Sequence, residues 1–222
     1  MRILLVMPTP FENGRLGLEN VVWLSEPVAL TSIAAAAGPE HQVRVLDLRL
    51  EPEDALAREL RSFQPHLVGT TSMTTDVYQA LAVLRMARQI VPSALTVVGG
   101  HAPTLAPQEF DQPWVDVVVQ GEGELTFREL VDTWNEQRHA VGAAGPAAAA
   151  VAGAGAVADA AAGLSDRRFP GIPGLRYRER AGEPMRSNSK RSQTKNLDEL
   201  PMPDRSLLRK YKGRYFFTVA RG

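Results

Sequence analysis

The chain has 222 residues, in which 25 Lys and Arg balance 25 Asp and Glu, and it contains no cysteine. A net charge of zero argues against nucleic acid or an anionic membrane surface as a partner. The lack of cysteine excludes disulfides, a thiol nucleophile and an iron–sulfur cluster within this chain, and it favours a cytoplasmic location. No apolar run is long enough to span a bilayer. The short apolar amino terminus is followed at once by Pro8, so it is interpreted as a strand and not as a signal peptide.

Hydrophobic periodicity predicts five strand–helix repeats. The predicted strands cover residues 1–7, 43–47, 67–71, 95–98 and 116–119. The predicted helices cover residues 28–37, 53–63, 75–91 and 126–137, with a short proline-punctuated helix near residues 107–110. Short connections between such repeats predict an α/β fold with a doubly wound, parallel, five-stranded sheet. The flavodoxin-like strand order 2-1-3-4-5 is the expected arrangement.

Three regions follow one another along the chain. Residues 1–138 are predicted to form the α/β domain. Residues 139–171 are predicted to be a linker or insertion, because residues 139–163 contain 14 Ala and 5 Gly. Residues 172–222 are predicted to form a connector that begins with a small hairpin, in which residues 172–178 pair with residues 184–186. A further strand-like run near the end, residues 215–220, leads us to expect that the sequence is part of a longer protein.

Glycines follow two of the buried strands. Gly99 and Gly100 end the fourth strand, and Gly121 and Gly123 follow the fifth. A glycine turn lets the backbone approach a ligand closely, and open α/β sheets bind ligands at the carboxyl ends of their strands. The sequence therefore predicts a crevice between these two strand ends.

Several common ligands of such a crevice are disfavoured. A dinucleotide site needs Gly-x-Gly-x-x-Gly after the first strand, where Pro8 and Pro10 stand. There is no phosphate-binding loop, and no cluster of acids of the receiver-domain kind. The segment after the third strand instead offers five hydroxyls, of which one or two are expected to cap the next helix: Thr70, Thr71, Ser72, Thr74 and Thr75. A lining of hydroxyls, glycines and carbonyls suits a large neutral ligand that carries amides.

Two further features have more than one interpretation. His101 directly follows the double glycine, and a lone His is more often a hydrogen-bonded structural residue than a metal ligand. Glu122 and Glu124 lie at a helix start, where the helix dipole favours acidic residues in any case. Gly121 and Gly123 are harder to explain structurally, because they leave backbone amides open to a ligand.

Taken in order, these residues resemble a known family. The motifs are the apolar and small-residue run from Pro27, then Asp47, Gly69-Thr-Thr-Ser, Val98-Gly-Gly-His and Gly121-Glu-Gly-Glu-x-Thr. They resemble the cobalamin-binding domain that precedes the radical S-adenosylmethionine domain in cobalamin-dependent radical enzymes. The resemblance covers most of residues 1–137 and continues through residues 172–177 and 197–201. Residues 218–222 resemble the strand that leads into the Cys-x-x-x-Cys-x-x-Cys cluster motif.

The resemblance implies a set of cobalamin contacts. These are Thr9, Thr70, Thr71, Ser72, Met73, Thr74, Gly99, Gly100, His101, Gly121, Glu122, Gly123 and Glu124. Cobalamin domains of the mutase kind carry Asp-x-His-x-x-Gly after the second strand, but here Arg49 replaces the His and Pro52 replaces the Gly. The resemblance therefore implies cobalamin with its own base detached and no protein His beneath the cobalt. Met73 or Thr74 would then lie below the metal.

The resemblance also implies an enzyme longer than this chain. S-adenosylmethionine and a 4Fe-4S cluster are expected only in a radical domain that follows in cis, so these 222 residues alone are not catalytic. The whole enzyme is expected to transfer a methyl group through methylcobalamin, although this family also includes ring-forming and oxidative members. Two alternatives stay open: a stand-alone corrinoid carrier or sensor, and a receiver-like interaction domain that binds nothing in the crevice.

Overall fold

The computed structural model describes residues 1–9, 24–143, 169–180 and 182–215, and all structural statements below concern these residues. Seven strands form one sheet in the order β2-β1-β3-β4-β5-β6-β7. They are β1 (Arg2–Met7), β2 (Gln42–Asp47), β3 (Leu67–Thr71), β4 (Leu95–Gly99), β5 (Val117–Val119), β6 (Leu175–Tyr177) and β7 (Arg186–Ser187). The first five strands are parallel, which confirms the predicted doubly wound sheet and its order.

The predicted connector hairpin joins this sheet and is not separate from it. β6 pairs antiparallel with β5, and β7 pairs antiparallel with β6. Buried Arg178 binds Asp111 at 2.6 Å, which ties the hairpin to the loop before β5. The sheet therefore has seven strands instead of five. The predicted sixth strand at residues 215–220 lies almost entirely outside the described residues, and the boundary at residue 138 stays a prediction.

In the described part of the chain, five α-helices cover the two faces of the sheet. They are α1 (Val28–Ala37), α2 (Ala55–Phe63), α3 (Val77–Ile90), α4 (His101–Leu105) and α5 (Glu124–Ala143). Three 3-10 turns cover Pro107–Phe110, Leu197–Glu199 and Arg205–Tyr211. The sequence did not predict α4, because this five-residue helix follows the double glycine directly and is too short for a periodic pattern. Helix α5 starts two residues earlier than predicted and ends six residues later than predicted.

The side chains of β1 show how the core is divided. Leu5 belongs to the apolar cluster that includes Leu30 of α1 and Phe127 of α5. Its neighbour Leu4 belongs to the opposite cluster, which includes Leu60 of α2. Successive side chains of a strand point to opposite faces, so a strand buried on both sides is apolar at every position. Helices α1 and α5 consequently share one face of the sheet, and α2 and α3 share the other.

The expected hydroxyl cap of α3 is absent, and this part of the sequence interpretation was wrong. Asp76 occupies the cap position of α3, with no side-chain bond to the helix amides. Its carboxylate instead accepts hydrogen bonds from the Met73 amide at 2.7 Å and from the Ser72 hydroxyl at 3.1 Å. Asp76 therefore holds the loop after β3 in shape, because a short acidic side chain can bond to nearby amides before it.

Acid is expected to weaken the fold through His66. Burial, followed by the positive charges of Arg138 and Arg2, lowers the pKa of His66 to about 4. Its Nδ1 accepts a hydrogen bond from the Arg2 amide at 3.0 Å. Because protonation favours the unfolded chain, the stabilisation is complete above the ordinary value of about 6.5 and is lost as the pH falls towards about 4. In urea unfolding across this pH range, the free energy of unfolding should fall as the pH falls, and the fall should be smaller in His66→Asn than in the parent protein.

Asn at position 66 retains an acceptor for the Arg2 amide but does not titrate. His139→Asn is the matched control, because His139 lies exposed on α5 and its replacement should leave the pH profile unchanged. Identical acid profiles for His66→Asn and the parent protein would contradict the assignment.

Within the described ranges, no helix is both long enough and apolar enough to cross a bilayer.

Candidate functional site

A cavity of about 260 Å³ lies at the carboxyl ends of the central strands. It is enclosed by the sheet, by α1 and by the start of α5. Apolar side chains form its deep part, contributed by the strands and by both helices: Leu5, Leu30, Ile33, Val97, Val119 and Phe127. The strand tips and the turn before α5 form its mouth. The crevice predicted from the sequence is therefore present, and its deep part is apolar.

Glycines keep this cavity open. Gly99 ends β4, and a methyl group added there would lie 3.5 Å from the nearest atom, Val119 Cβ, which is an ordinary contact. Gly100 is constrained by its backbone and not by the cavity. Its φ is +109°, which side chains rarely allow, and a Cβ there would lie 2.7 Å from Thr71 Oγ1. Gly100 thus lets the loop after β3 pack against the start of α4. The missing side chain at Gly99 thus leaves space in the cavity, whereas Gly100 is required by the fold.

A second, more polar cavity of about 340 Å³ adjoins the first. The two cavities share Gly100, Gly121 and Glu122. The connector closes the outer side of this second cavity through Arg191, Ser192 and Gln193, which face His101 and Thr104 of the domain. The site is thus a narrow apolar cavity that opens into a polar rim.

Hydrogen bonds fix the connector at this rim. The Thr194 amide donates to Glu122 Oε2 at 2.8 Å, which lowers the pKa of Glu122. Arg191 donates to Thr126 Oγ1 and to Glu129 Oε2, both at 2.6 Å. Three hydrogen bonds from two connector residues, Arg191 and Thr194, therefore hold the connector against the first turns of α5 and the turn before it.

The predicted contact residues fall into three groups. The first cavity is lined by Thr70, Thr71, Gly99, Gly100, Gly121, Glu122, Gly123 and Glu124. His101 lines the second cavity. Neither cavity is lined by Thr9, Ser72, Met73 or Thr74. The roles of all these residues in cobalamin binding stay predictions.

The loop after β3 offers fewer free hydroxyls than its sequence suggests. The buried Thr70 hydroxyl donates to the Val6 carbonyl at 3.0 Å, and buried Ser72 bonds within the loop. Thr74 is exposed, and Met73 is half exposed at the carboxyl edge of the sheet. Hydrogen bonds therefore shape this loop internally, while Met73 and Thr74 remain accessible from outside.

The loop after β2 is closed by a buried polar network. Arg49 donates to both carboxylate oxygens of Asp47, at 2.9 and 2.7 Å. The Tyr215 hydroxyl donates to Asp47 Oδ2 at 2.9 Å, and the Asp47 amide donates to the Tyr211 hydroxyl at 2.9 Å. Burial, with the nearby carboxylates, raises the pKa of both tyrosines. The Arg49 side chain therefore forms a buried ion pair with Asp47.

Sequence reasoning missed several residues of this site. Arg191 and Gln193 come from a segment of the connector with no local motif, and Tyr211 and Tyr215 lie more than 160 positions from the loop that they cover. Ile33 and Phe127 looked like ordinary core residues. The apolar faces of α1 and α5 include Ile33 and Phe127. A cavity wall and a core face have the same periodicity, so the sequence could not show that these two residues line a cavity.

Comparison with known proteins identifies the class of this fold and site. The family model described as B12 binding domain matches residues 14–131. This match covers more than half of the chain, so the chain belongs to the B12-binding domain family. This match confirms the cobalamin-binding part of the sequence-based resemblance, and the relatives described next confirm its link to cobalamin-dependent radical enzymes.

Particular relatives extend the match. The chain is 32% identical over 213 residues to the "Uncharacterized methyltransferase PH0819" of Pyrococcus horikoshii, which covers 94% of this chain and 39% of that protein. It is 32% identical over 72 residues to the "Cobalamin-dependent radical SAM methyltransferase TokK" of Streptomyces tokunonensis, covering 32% of this chain and 11% of that protein. The chain thus spans well under half the length of these relatives.

A solved structure shares the fold. The cobalamin-dependent S-adenosylmethionine radical enzyme OxsB aligns with a TM-score of 0.51 and 15% sequence identity. The alignment covers 92% of this chain and 24% of OxsB. At this level of identity the likeness concerns the fold alone.

Proposed function

We propose that this chain is the cobalamin-binding part of a radical S-adenosylmethionine enzyme that transfers a methyl group, and that the apolar cavity holds the base of the cobalamin nucleotide tail. One observation carries the proposal: the cavity lies at the carboxyl ends of the strands, has apolar walls, and is kept open by Gly99. Membership of the B12-binding domain family and relatives named as methyltransferases support it.

The size of the cavity agrees with the tail and not with the corrin ring. Cobalamin is a broad corrin with amide arms, joined to a nucleotide tail that ends in an apolar bicyclic base. A volume of about 260 Å³ is slightly below the roughly 300–1,000 Å³ of pockets that enclose drug-sized ligands. The bicyclic base fits such a volume and benefits from the apolar walls. The corrin would then lie outside, over the strand tips.

The polar rim suits the remaining groups of cobalamin. Gly121 and Gly123 lie beside the mouth of the cavity, and Glu122 and His101 add side chains at the same place. The Gly121 amide is not open as the sequence suggested, because it donates to Thr104 Oγ1 at 2.9 Å. Side chains of this kind can bond to the amide arms and to the phosphate of the nucleotide arm. The connector residues Ser192 and Gln193 would complete this rim.

We also propose that the cobalt has neither its own base nor a protein His beneath it. A base inserted in the apolar cavity cannot coordinate the metal. Arg49 stands where a ligand His would be, and its guanidinium is held by buried Asp47. Met73 and Thr74 are accessible at the sheet edge and are the proposed neighbours of the metal.

The bound cofactor would act as a methyl carrier, and the residues of this chain would bind and orient it. The apolar walls would exclude water from the base, and the backbone at Gly123 and the polar side chains of the rim would position the arms. S-adenosylmethionine, a 4Fe-4S cluster and the substrate are assigned to the further part of the enzyme. The cobalamin-binding role can be tested on this chain alone.

Hydroxocobalamin added to the purified chain should change its visible spectrum and remain with the protein on a desalting column at tens of micromolar. A visible spectrum identical to that of free hydroxocobalamin, together with no cobalamin retained by the protein on the column, would overturn the proposal. If cobalamin is retained, formation of 5′-deoxyadenosine by the longer, cluster-reconstituted protein would distinguish the enzyme from a stand-alone carrier.

Replacing His101 with Ala should leave the metal environment unchanged. After reduction to the cobalt(II) state, the electron paramagnetic resonance spectra of the parent and of His101→Ala should match and should lack nitrogen coupling. Because His101 offers at most one hydrogen bond to the nucleotide arm, the affinity should fall by no more than about tenfold. Nitrogen coupling that is present in the parent and lost in the variant would make His101 a cobalt ligand.

A further inference from the structure

Three potential metal ligands meet at the amino ends of the strands, on the opposite edge of the sheet from the two cavities. Glu40 and His41 lie in the turn between α1 and β2, and Asp132 lies on α5. One ligand atom from each residue lies within 4.8 Å of the other two. These residues have no part in the proposed cobalamin site.

The histidine of this group is buried and has an unused nitrogen. Only 3% of the His41 side chain is exposed, and its Nε2 has no hydrogen-bond partner among the described residues. Glu40 Oε1 lies 3.9 Å from Nε2, which is too far for a hydrogen bond. A buried polar atom in native proteins normally has a partner, so a ligand at Nε2 would supply one.

The other side of the ring is already held in place. His41 Nδ1 lies 3.1 Å from the α-amino nitrogen of Met1. In most histidines that bind metals the second ring nitrogen carries the proton and donates it, so metal binding at Nε2 requires the Nδ1–H to donate to the unprotonated amine of Met1. Burial, followed by the charge of the amino terminus, lowers the pKa of His41.

We infer that Glu40, His41 and Asp132 form a site for a divalent transition metal of the zinc class. One imidazole and two carboxylates are a ligand set for zinc, with water in the fourth position. The imidazole disfavours magnesium and calcium, which prefer oxygen ligands throughout.

The carboxylates are free to complete the coordination. About half of each carboxylate side chain is exposed, 51% for Glu40 and 48% for Asp132. Zinc ligands lie about 2.0–2.2 Å from the metal, so both carboxylates must move inward around the fixed imidazole. Among the residues that the structure describes, Arg128 pairs with Asp132 at 3.8 Å, in an exposed pair that is easily displaced.

Metal binding would join two elements that already share a face. It would tie the turn after α1 to α5, and these two helices also form walls of the apolar cavity at their other ends. The site does not depend on cobalamin, so it can be tested without it.

The test uses the full chain, purified without a histidine tag, and titrated with ZnCl2 in a calorimeter and with CoCl2 in a spectrophotometer. One equivalent of zinc should bind and raise the thermal midpoint, cobalt should produce the visible absorption of a nitrogen- and oxygen-ligated ion, and magnesium should do neither. Asp132→Asn and Glu40→Gln change exposed side chains and should each lower the zinc affinity at least tenfold. His41→Ala should abolish binding.

His139→Ala is the matched control, since His139 is an exposed histidine on α5 and should not affect binding. Absence of saturable zinc binding would overturn the inference. Zinc binding that survives both carboxylate substitutions, or that is lost in His139→Ala, would place the metal elsewhere and would overturn it equally. Each of these results is independent of whether the chain binds cobalamin.

Discussion

The Gly99→Val substitution is expected to lower the affinity for cobalamin at least tenfold while the fold is retained. Gly99 lines the apolar cavity at the end of β4, and its first added carbon would make an ordinary contact with Val119 at 3.5 Å. Its backbone conformation is not left-handed, so a β-branched residue suits this strand position. The two additional methyl groups would take up part of the roughly 260 Å³ cavity. A tenfold loss corresponds to about 1.4 kcal/mol.

The affinity is measured by titration with hydroxocobalamin, and the thermal midpoint is measured alongside it. Ser93→Val is the matched control, because Ser93 is exposed in the turn before the opposite end of β4. This control should bind cobalamin as the parent does. Parent-like affinity in Gly99→Val would show that the ligand does not use this cavity, and the proposed position of the base would have to be abandoned.

The Asp47→Ala substitution is expected to lower the free energy of unfolding by about 3–5 kcal/mol, which is the usual effect of removing one partner of a buried ion pair. Asp47 is fully buried and accepts hydrogen bonds from both Arg49 and Tyr215. Without the carboxylate, the Arg49 guanidinium would remain almost buried with its charge uncompensated. The contact between the end of the connector and β2 would also weaken, because Tyr215 would lose its acceptor.

Urea unfolding measures the change. Asp54→Ala is the matched control: Asp54 pairs with Arg58 at 3.0 Å, but both side chains are exposed, so this change should alter stability by no more than about 1 kcal/mol. An Asp47→Ala protein as stable as the Asp54→Ala control would mean that the buried network does not stabilise the fold. It would also remove the argument that Arg49 is unavailable as a neighbour of the cobalt.

The loop after β3 illustrates the limit of motif reasoning. Its five hydroxyls predict that this strand end borders a crevice, and Thr70 and Thr71 do line the apolar cavity. Which hydroxyls remain free depends on partners elsewhere in the chain, such as the Val6 carbonyl that binds Thr70. Asp76, which organises the loop, was visible in the sequence, but its backward bonds to Met73 and Ser72 compete with ordinary capping and were not predicted.

The sequence by itself determined the parallel five-strand order, the placement of the glycine turns at one edge of the sheet, and the family resemblance. These features depend on local patterns: apolar runs, glycines after strands, and prolines at helix starts. The tertiary structure alone decided that the connector hairpin extends the sheet, that Arg191 and Gln193 complete the polar rim, and that Tyr211 and Tyr215 cover the loop after β2. Contacts between residues far apart in sequence leave no periodic signal, because they depend on how whole elements pack and not on local backbone preference.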